Sequence, residues 1–322
     1  MSEPGARPPL SLVVGATGQD GTYLCRDLAR RGQSVVGLGR DRAWHDETPI
    51  PPVDLGDTAA LGALVRALRP DTIYHLAAHH ASSEAPAEET AQAVRRALTV
   101  NLDSLISLLD AVARFSPRSR LFYAASSRVF GAPSQTPQTE ATPRAPLCPY
   151  GLSKAAGLDL CRVMRAQGVF ASAGILYNHE SPLRPPTFVT RRVVRAAVAI
   201  ERRLAPPLIE VGDLSAVVDW GWAPDFVDAF QRILSLPEPD TFVVATGVGR
   251  RVADLVDEVL RAAGLDGAVE VRETPGRVRP ALVSVPLIGD YAKLHQATGW
   301  RPTCPFPEMI RRMLEEERRH AF

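Results

Sequence analysis

The stretch LSLVVGATGQDG, from Leu10 to Gly21, constrains the fold of this 322-residue chain more than any other. A short apolar run leads into Gly15, Gly18 and Gly21, and the amphipathic stretch TYLCRDLARRG follows. A strand, a Gly-x-x-Gly-x-x-Gly turn and a helix in this order let the backbone turn tightly and place a helix N-terminus against a pyrophosphate. The stretch therefore predicts a dinucleotide-binding loop, and a plain glycine turn is the alternative.

Apolar strands and amphipathic helices alternate through the first half of the chain. The predicted strands LSLVVGA, SVVGLG, TIYHLAA, RLFYAAS and ASAGILY are separated by helical stretches, one of which runs through Leu98 and Val112. This alternation implies a parallel sheet with helices on both faces. In the second half we predict a helix around residues 188–203, and we expect VVDW and TFVVAT to return to the main sheet or its edge. The fold class is therefore α/β.

Composition limits the partners of the chain. The formal net charge is +1, so no global field attracts nucleic acid or a membrane surface, and no apolar run reaches membrane-spanning length. The four cysteines form no C-x-x-C pair, which favours reduced thiols in a cytoplasmic protein. We predict no metal site, and a metal site or a disulfide is the alternative.

The second strand ends in GLGRDR, which bears on the choice of dinucleotide. An acidic residue at this point usually holds a free ribose 2′-hydroxyl, whereas Arg40 suits a 2′-phosphate and Arg42 could assist it. We therefore predict NADP(H) over NAD(H), with two solvated arginines and a role for Asp41 as the alternative. Asp54 and Leu55 are candidates to meet the adenine ring.

The segment YGLSK places Tyr150 and Lys154 four residues apart. On a helix this spacing puts both side chains on one face, and a nearby ammonium lowers the pKa of a phenol. A tyrosine so activated can exchange a proton with a sugar hydroxyl or carbonyl as hydride moves. Ser126, at the end of the neighbouring strand, would hydrogen-bond the same oxygen. A surface pair is the alternative reading.

With these motifs in view, the chain resembles the extended short-chain dehydrogenase/reductases that act on nucleotide sugars, and most of all the GDP-mannose 4,6-dehydratases. The similarity runs from about Leu12 to Pro302, in GATGQDGTYL, DLGD, IYHLAA, CPYGLSK, ILYNHESPLR, FVTRRV, VDWGWAPDFVDA, Arg279-Pro280 and GDYAKLHQATGWRP. The resemblance implies a Rossmann-type doubly wound parallel sheet, a smaller mixed α/β C-terminal substrate domain, and a homodimer or homotetramer. It places the cofactor domain at residues 10–178 plus about 213–246 and the substrate domain at 179–212 plus about 247–322.

The resemblance also implies where the cofactor lies. His179 and Arg184 would lie near it, and the segment LAAHH, from Leu76 to His80, would line its phosphate and nicotinamide side. His79 and His80 could instead be ordinary polar loop residues. The full set of cofactor candidates is Gly15, Thr17, Gly18, Gln19, Asp20, Gly21, Arg40, Asp54, Leu55, Leu76, Ala77, Ala78, Lys154, His179 and Arg184.

One departure from the family pattern concerns the chemistry. The dehydratases carry a carboxylate two positions beyond the catalytic threonine or serine, and Arg128 stands there in this chain, next to Ser127. An arginine is always protonated and cannot abstract the C5 proton that elimination requires. Glu140 would have to fold back from a loop to replace it. Arg128 could stabilise a diphosphate or an alkoxide, or point to solvent.

Further departures concern the substrate. Ala281-Leu282 and Val218 stand where the family has an acidic residue and an arginine, which weakens any assignment of the nucleotide as GDP. Arg279, Arg192 and Arg191 are candidate diphosphate ligands because a guanidinium can bind two oxygens, although each could be a surface charge. The substrate-binding candidates are Ser127, Arg128, Asn178, Arg192 and Arg279.

These observations predict an NADPH-dependent reductase of a nucleotide-linked 4-keto-6-deoxyhexose, with Ser126, Tyr150 and Lys154 as its catalytic residues. The alternatives are a 4,6-dehydratase or a 4-epimerase, both of which recycle their hydride. A third alternative is a non-catalytic NADP(H)-sensing protein, although such proteins commonly lose the tyrosine or the lysine and this chain keeps both.

Overall fold

The apolar runs form strands of a central sheet in the computed structural model of the protein, which describes residues 7–80, 90–274 and 285–320. These ranges contain β1 Leu10–Val14, β2 Ser34–Leu38, β3 Ala43–His45, β4 Thr48–Ile50, β5 Thr72–His75, β6 Arg120–Ser126, β7 Ala171–Leu176, β8 Asn178–Glu180, β9 Leu208–Val211, β10 Val217–Trp222, β11 Thr241–Val244, β12 Gly249–Arg251 and β13 Glu270–Glu273. The main sheet has eight strands in the order β11-β7-β6-β5-β1-β2-β3-β4.

Ten helices cover or extend this sheet within the described ranges. They are α1 Gln19–Arg30, α2 Thr58–Leu68, α3 Thr90–Leu98, α4 Ser104–Phe115, α5 Pro149–Ala166, α6 Val189–Glu201, α7 Ala223–Ser235, α8 Val252–Ala263, α9 Ala292–Thr298 and α10 Phe306–His320. A π-helical turn, Thr99–Asp103, joins α3 to α4, and a 3-10 turn, Ser127–Phe130, follows β6. None of these helices is long and apolar enough to cross a lipid bilayer.

The doubly wound architecture predicted from the alternation of strands and helices is confirmed. Six strands from β11 to β2 pair in parallel, and side chains alternate between the two faces. In β6, Leu121 and Tyr123 belong to the core beneath α4 and α5, whereas Phe122 packs on the opposite face with Phe230 of α7. A third hydrophobic cluster joins α6, α8 and α10.

Two details differ from the expectation. β3 and β4 form an antiparallel hairpin on the edge of the main sheet, which the polar sequence between Ala43 and Ile50 did not indicate. β10, which contains VVDW, pairs with β8 and β12 in a separate three-stranded sheet instead of joining the main one. β11 does pair with β7 at the edge of the main sheet, as expected for TFVVAT.

The order of the strands fixes where a ligand can bind. The chain proceeds from β1 to β2 on one side and then crosses to β5 on the other side of β1. In open α/β sheets, ligands bind beyond the carboxyl ends of the strands at such a reversal. Gly15 and Leu76, which directly follow β1 and β5, therefore mark one side of the expected site.

Candidate functional site

A cleft of about 330 Å³ opens at the carboxyl ends of β5, β6 and β7. The structure brings many of the predicted site residues into its lining, which includes Gln19, Asp20, Leu76, Ala78, Ser126, Arg128, Tyr150, Lys154, Asn178, His179, Glu180 and Arg184. Residues far apart in the sequence thus meet at one place, because strands of a parallel sheet all end on the same edge. We refer to this space as the cleft.

The glycine loop is packed so closely that side chains would not fit at two of its positions. Gly15 has a φ of +96°, and a Cβ there would lie 2.6 Å from the backbone nitrogen of Ala77. A Cβ on Gly21 would lie 2.3 Å from the carbonyl oxygen of Gly15. Such a bare loop, followed at once by the N-terminus of α1, is a surface to which a pyrophosphate can approach closely. The loop therefore fits the predicted dinucleotide.

The start of α1 is bound to the segment after β7 by buried polar contacts. Nε2 of His179 donates to Asp20 at 3.0 Å, and Nδ1 of the same ring donates to the carbonyl of Tyr177 at 2.7 Å. Burial opposes both charges, but the mutual attraction prevails, so the pKa of Asp20 is lowered and that of His179 is raised. Gln19 adds a hydrogen bond to the carbonyl of His179 at 3.0 Å.

Ser126, Tyr150 and Lys154 come together at the base of the cleft. Ser126 ends β6, while Tyr150 and Lys154 occupy the first turns of α5, whose first residue is Pro149. The Lys154 ammonium is buried, donates to the carbonyl of Ala124 at 2.7 Å and lies 5.8 Å from the centre of the Tyr150 ring. This confirms the predicted sharing of one helix face.

The predicted lowering of the phenol pKa by Lys154 is not present in this structure. Burial raises the pKa of Tyr150 to about 12, against opposing effects of a hydrogen bond with Ser126 and the charge of Arg184. Burial also lowers the pKa of Lys154 to about 7, because the charged ammonium is less well solvated in the protein interior than in water. The tyrosine is thus a protonated phenol at neutral pH, as a proton donor must be.

Asn101 is a buried residue that supports the site through hydrogen bonds and that the sequence reasoning missed. It lies in the π-helical turn, is fully buried, and donates through Nδ2 to Ser153 Oγ at 2.9 Å. Its Oδ1 accepts a 2.7 Å bond from the backbone N–H of His79, and Ser153 in turn donates to the carbonyl of Tyr150 at 2.8 Å. An asparagine inside the apolar stretch LTVNLDSL was the available signal, and π-helical turns often occur at functional sites.

Arg128 lies at the cleft, on the 3-10 turn after β6. Its backbone N–H donates to Ser126 Oγ at 3.3 Å, and its side chain is half-buried. Gly151 lets α5 approach this turn, because a Cβ there would lie 2.5 Å from the Arg128 carbonyl oxygen. Arg128 therefore lines the cleft and is not a fully solvent-exposed residue. The adjacent Ser127 is buried.

Among the described residues, the carboxylates of Asp20 and Glu180 line the cleft, whereas that of Glu140, the predicted substitute base, does not. Asp20 is paired with His179, whereas Glu180 is buried and lies 3.4 Å from Nε of Arg184. Burial raises the pKa of Glu180 above its ordinary value. Glu140 is directed elsewhere, since its carboxylate accepts a 2.7 Å bond from the backbone N–H of Val243 in β11. The position of Glu180 in the cleft was not foreseen.

The other predicted residues occupy several environments. Arg40 is exposed just beyond β2, Asp54 accepts from the backbone of Gly56 at 2.9 Å, and Leu55 packs against the core. Arg192 lines a separate cavity of about 160 Å³ beside Ile209, outside the cleft. Thr17 is exposed and Ala77 is buried.

The remaining arginines that were predicted to bind the diphosphate are Arg191 and Arg279. Arg191 forms an ion pair with Glu317 of α10, so it joins two helices instead of presenting a guanidinium to a diphosphate. Arg279 and the pair Ala281-Leu282 lie outside the described residues. Val218, for which the resemblance predicted the loss of a family arginine, lines the cleft together with Trp220.

Comparison with known proteins places the chain among nucleotide-sugar enzymes. The family described as GDP-mannose 4,6-dehydratase matches residues 12–313. GDP-mannose 4,6 dehydratase 2 of Caenorhabditis elegans is 34% identical, over 96% of this chain and 88% of its own length. GDP-mannose 4,6-dehydratase of Yersinia enterocolitica is 32% identical, over 97% of this chain and 95% of its own length.

Solved structures share the same architecture. RMD from Pseudomonas aeruginosa, complexed with NADPH, superposes with a TM-score of 0.81 at 25% identity, over 97% of this chain and all of the other. UDP-glucose 4-epimerase of Thermus thermophilus, in complex with NAD, superposes with a TM-score of 0.79 at 27% identity, again over 97% of this chain and all of the other. The predicted family resemblance is confirmed by these similarities.

Proposed function

This chain belongs to the GDP-mannose 4,6-dehydratase family, and we propose that it is a member that reduces a nucleotide-linked 4-keto-6-deoxyhexose at the expense of NADPH. The observation that carries the proposal is that Arg128 lines the cleft. The family resemblance implies a carboxylate at this position. The groups needed for proton donation remain beside it, whereas the group needed to abstract the C5 proton is replaced.

The proposed chemistry uses Ser126, Tyr150 and Lys154 at the base of the cleft, together with the charge of Arg128. When bound in the cleft, a nicotinamide cofactor would supply the hydride equivalent for C4 of the sugar. Tyr150 donates its phenolic proton to the C4 oxygen, so that the carbonyl becomes a hydroxyl, and Ser126 orients that oxygen by a hydrogen bond. Lys154 lies close enough to stabilise the phenolate left behind when it carries its proton. Arg128 provides a fixed positive charge where the alkoxide develops.

NADP(H) is the proposed cofactor, and its binding residues are those of the glycine loop with the positive charge of Arg40. Support comes from the close packing around Gly15 and Gly21 and from the absence of an acidic residue directly at the end of β2. The complex of the Pseudomonas aeruginosa protein with NADPH is consistent with this choice. Asp20, His179 and Arg184 would hold the nicotinamide end.

We also propose the two-domain division expected from the sequence. The hydrophobic cluster of α6, α8 and α10 is separate from the clusters on the two faces of the main sheet. Segments after β7 would then bind the nucleotide sugar over a cofactor held by the sheet. Arg192, beside its own cavity, is the candidate for the nucleotide end.

A dehydratase is the second candidate, and Glu180 is the observation that favours it. Its carboxyl lines the cleft and burial raises its pKa, both of which suit a general base. Two features weaken this reading. Arg184 lies 3.4 Å from the carboxylate. In addition, Glu180 belongs to the stretch YNHESP that resembles the family pattern, in which a separate carboxylate is present.

A screen of reductant consumption tests the proposal. The purified protein is mixed with NADPH and a GDP- or dTDP-linked 4-keto-6-deoxysugar, and absorbance at the reduced nicotinamide band is followed while the product is identified by NMR. We expect one NADPH oxidised for each sugar reduced. Formation of a 4-keto product from GDP-mannose with only catalytic NADP⁺ would establish the dehydratase instead.

A further inference from the structure

Four side chains that line the cleft form a continuous stack. Arg184 lies with its Cζ 3.8 Å from the ring centre of Phe188, and the Phe188 ring is stacked on His80 at a centroid distance of 5.6 Å and an angle of 28°. His80 then packs against Tyr150 at 4.3 Å. We call Arg184, Phe188, His80 and Tyr150 the cleft bridge. It joins the loop after β5 to the start of α6.

The position of His80 on Tyr150 is set by buried polar contacts. The backbone N–H of the preceding residue, His79, is held by Asn101, which is also bonded to Ser153. Ser153 donates to the carbonyl of Tyr150, so one network fixes the backbone on both sides of the ring contact. A chance contact between two surface rings would have no such support.

The ring contacts of His80 limit which of its atoms can form a hydrogen bond with a ligand. Tyr150 and Phe188 pack against the ring of His80, so polar recognition by this residue uses the two nitrogens at the edge of the ring. His80 lines the same cleft as Ser126 and Arg128. A sugar whose reacting carbon lies at the Tyr150 hydroxyl would place its neighbouring hydroxyls in the cleft that His80 also lines.

We propose that His80 is a substrate-contacting residue that donates a hydrogen bond to a sugar hydroxyl beside the reacting carbon and so contributes to sugar specificity. The inference rests on the proposed function in one respect only, namely that the substrate is a nucleotide-linked sugar. It does not require that the reaction be a reduction. We expect the nucleotide and its diphosphate to make no contact with His80.

Calorimetric binding to matched ligands tests the assignment. The ligands are GDP-mannose against GDP, and dTDP-glucose against dTDP, so that the members of each pair differ by the sugar and by the free charge of the terminal phosphate. The proteins are the wild type, His80→Phe, which keeps a ring without the nitrogens, and His80→Gln, which keeps an N–H donor. His320→Gln, on the exposed end of α10, is the control variant.

We expect His80→Phe to weaken the sugar-nucleotide complex about tenfold and to leave the nucleoside diphosphate unchanged, in line with the loss of one hydrogen bond. His80→Gln should recover most of that loss, and His320→Gln should bind like the wild type. Thermal unfolding of each variant shows that it is folded.

Three results with the His80→Phe variant would overturn the inference: equal effects on the sugar nucleotide and the diphosphate, unchanged binding, or tighter binding, which would mean that His80 occupies the place of the sugar. Failure of both sugar nucleotides to bind the wild type would overturn it together with the proposed function. If they bind with the expected pattern but no keto-sugar oxidises NADPH, the reductase proposal fails and the role of His80 stands.

Discussion

At the scale of single residues, the site holds a phenol and an amine whose ionisation is opposed by burial. The pKa of Tyr150 is raised to about 12 and that of Lys154 is lowered to about 7. Both shifts favour the neutral form. A protonated tyrosine is the form that a carbonyl reduction consumes, and the charge of Lys154 becomes useful only when a phenolate forms beside it.

Replacing Tyr150 by phenylalanine should remove proton donation without disturbing the packing. Because general acid catalysis contributes about 10²–10⁴-fold, we expect the rate of NADPH oxidation with a keto-sugar to fall by about that factor. The midpoint of thermal unfolding should change little. A variant with wild-type turnover would show that the proton comes from another group.

Lys154→Met should show how much the buried charge of Lys154 lowers the free energy of unfolding, apart from any role of the amine in catalysis. The ordinary pKa is 10.5 and the folded value is about 7, so below pH 7 the folded state carries the full penalty of a buried charge. Between these values the unfolded chain alone holds the proton, and the stability of the wild type rises with pH. We therefore expect the variant to gain stability most at pH 6.5 and least at pH 10.

Thermal unfolding of wild type and Lys154→Met at these two pH values provides the measurement. The lost hydrogen bond to the Ala124 carbonyl acts in the opposite direction, but it is nearly independent of pH. A stability difference that does not change with pH would mean that Lys154 holds its charge in the folded state at little cost.

At the scale of elements, α1 is held to β8 by the ion pair of Asp20 and His179. His179 has a raised pKa relative to its ordinary 6.5, so its contribution is full below pH 6.5 and is lost as the pH rises through the folded value. Asp20 has a lowered pKa relative to 3.8, so its contribution is present above pH 3.8 and is lost as the pH falls further. The pair is therefore strongest at mildly acid pH.

His179→Gln should accordingly cost the most stability between about pH 4 and pH 6.5. Breaking a buried ion pair costs about 3–5 kcal/mol, because the remaining carboxylate is left uncompensated. Denaturant unfolding at pH 5.5 and at pH 9 measures the free energy of unfolding in each case. A cost equal at both pH values would argue that the imidazole is neutral in the folded protein.

The glycine loop gives a second prediction at this scale. Gly15→Ala meets two penalties, a positive φ and a Cβ placed 2.6 Å from the Ala77 nitrogen, whereas Gly32→Ala meets only a positive φ in open space. We expect about 1–2 kcal/mol of destabilisation for Gly32→Ala and a further 1–3 kcal/mol for Gly15→Ala. Equal losses in chemical denaturation would show that the loop can open without cost.

Sequence reasoning succeeded where a local pattern dictates the element. The apolar alternation predicted the strands of the main sheet, and the spacing of Tyr150 and Lys154 predicted their shared helix face. It failed where the position of an element depends on pairing between residues that are distant in the sequence. The sequence of β10 predicts a strand, but its pairing with β8 and β12 is set by the tertiary fold. The place of Glu180 in the cleft and the support that Asn101 gives to the site were not predicted either, because they depend on tertiary contacts and not on sequence spacing.

At the scale of the whole molecule, cofactor binding should stabilise the fold. A ligand present at 100 times its dissociation constant adds about 2.7 kcal/mol to the free energy of unfolding. NADPH should therefore raise the unfolding temperature by several degrees, and NADH at the same concentration should raise it less. Arg40→Ala should lose most of this difference, since a charge-assisted bond to a phosphate contributes about 1.5–3 kcal/mol.

Arg30→Ala serves as the matched control for the cofactor experiment, because Arg30 is also an exposed arginine but lies at the far end of α1. The control should keep the wild-type preference. If Arg40→Ala kept the wild-type preference for NADPH over NADH, the proposed role of Arg40 would be wrong. Arg42, whose guanidinium lies over the Trp44 ring at 5.4 Å, would then be the next candidate.

The central claim is that this protein, whose cleft is lined by Arg128, consumes its reductant and does not recycle it. The most direct measurement uses NADPH deuterated at the transferable position, with GDP- and dTDP-linked 4-keto-6-deoxysugars, and NMR of the products. The account predicts one deuterium at C4 of the sugar for each NADPH oxidised. Intact NADPH, together with a 4-keto product formed from GDP-mannose, would contradict it.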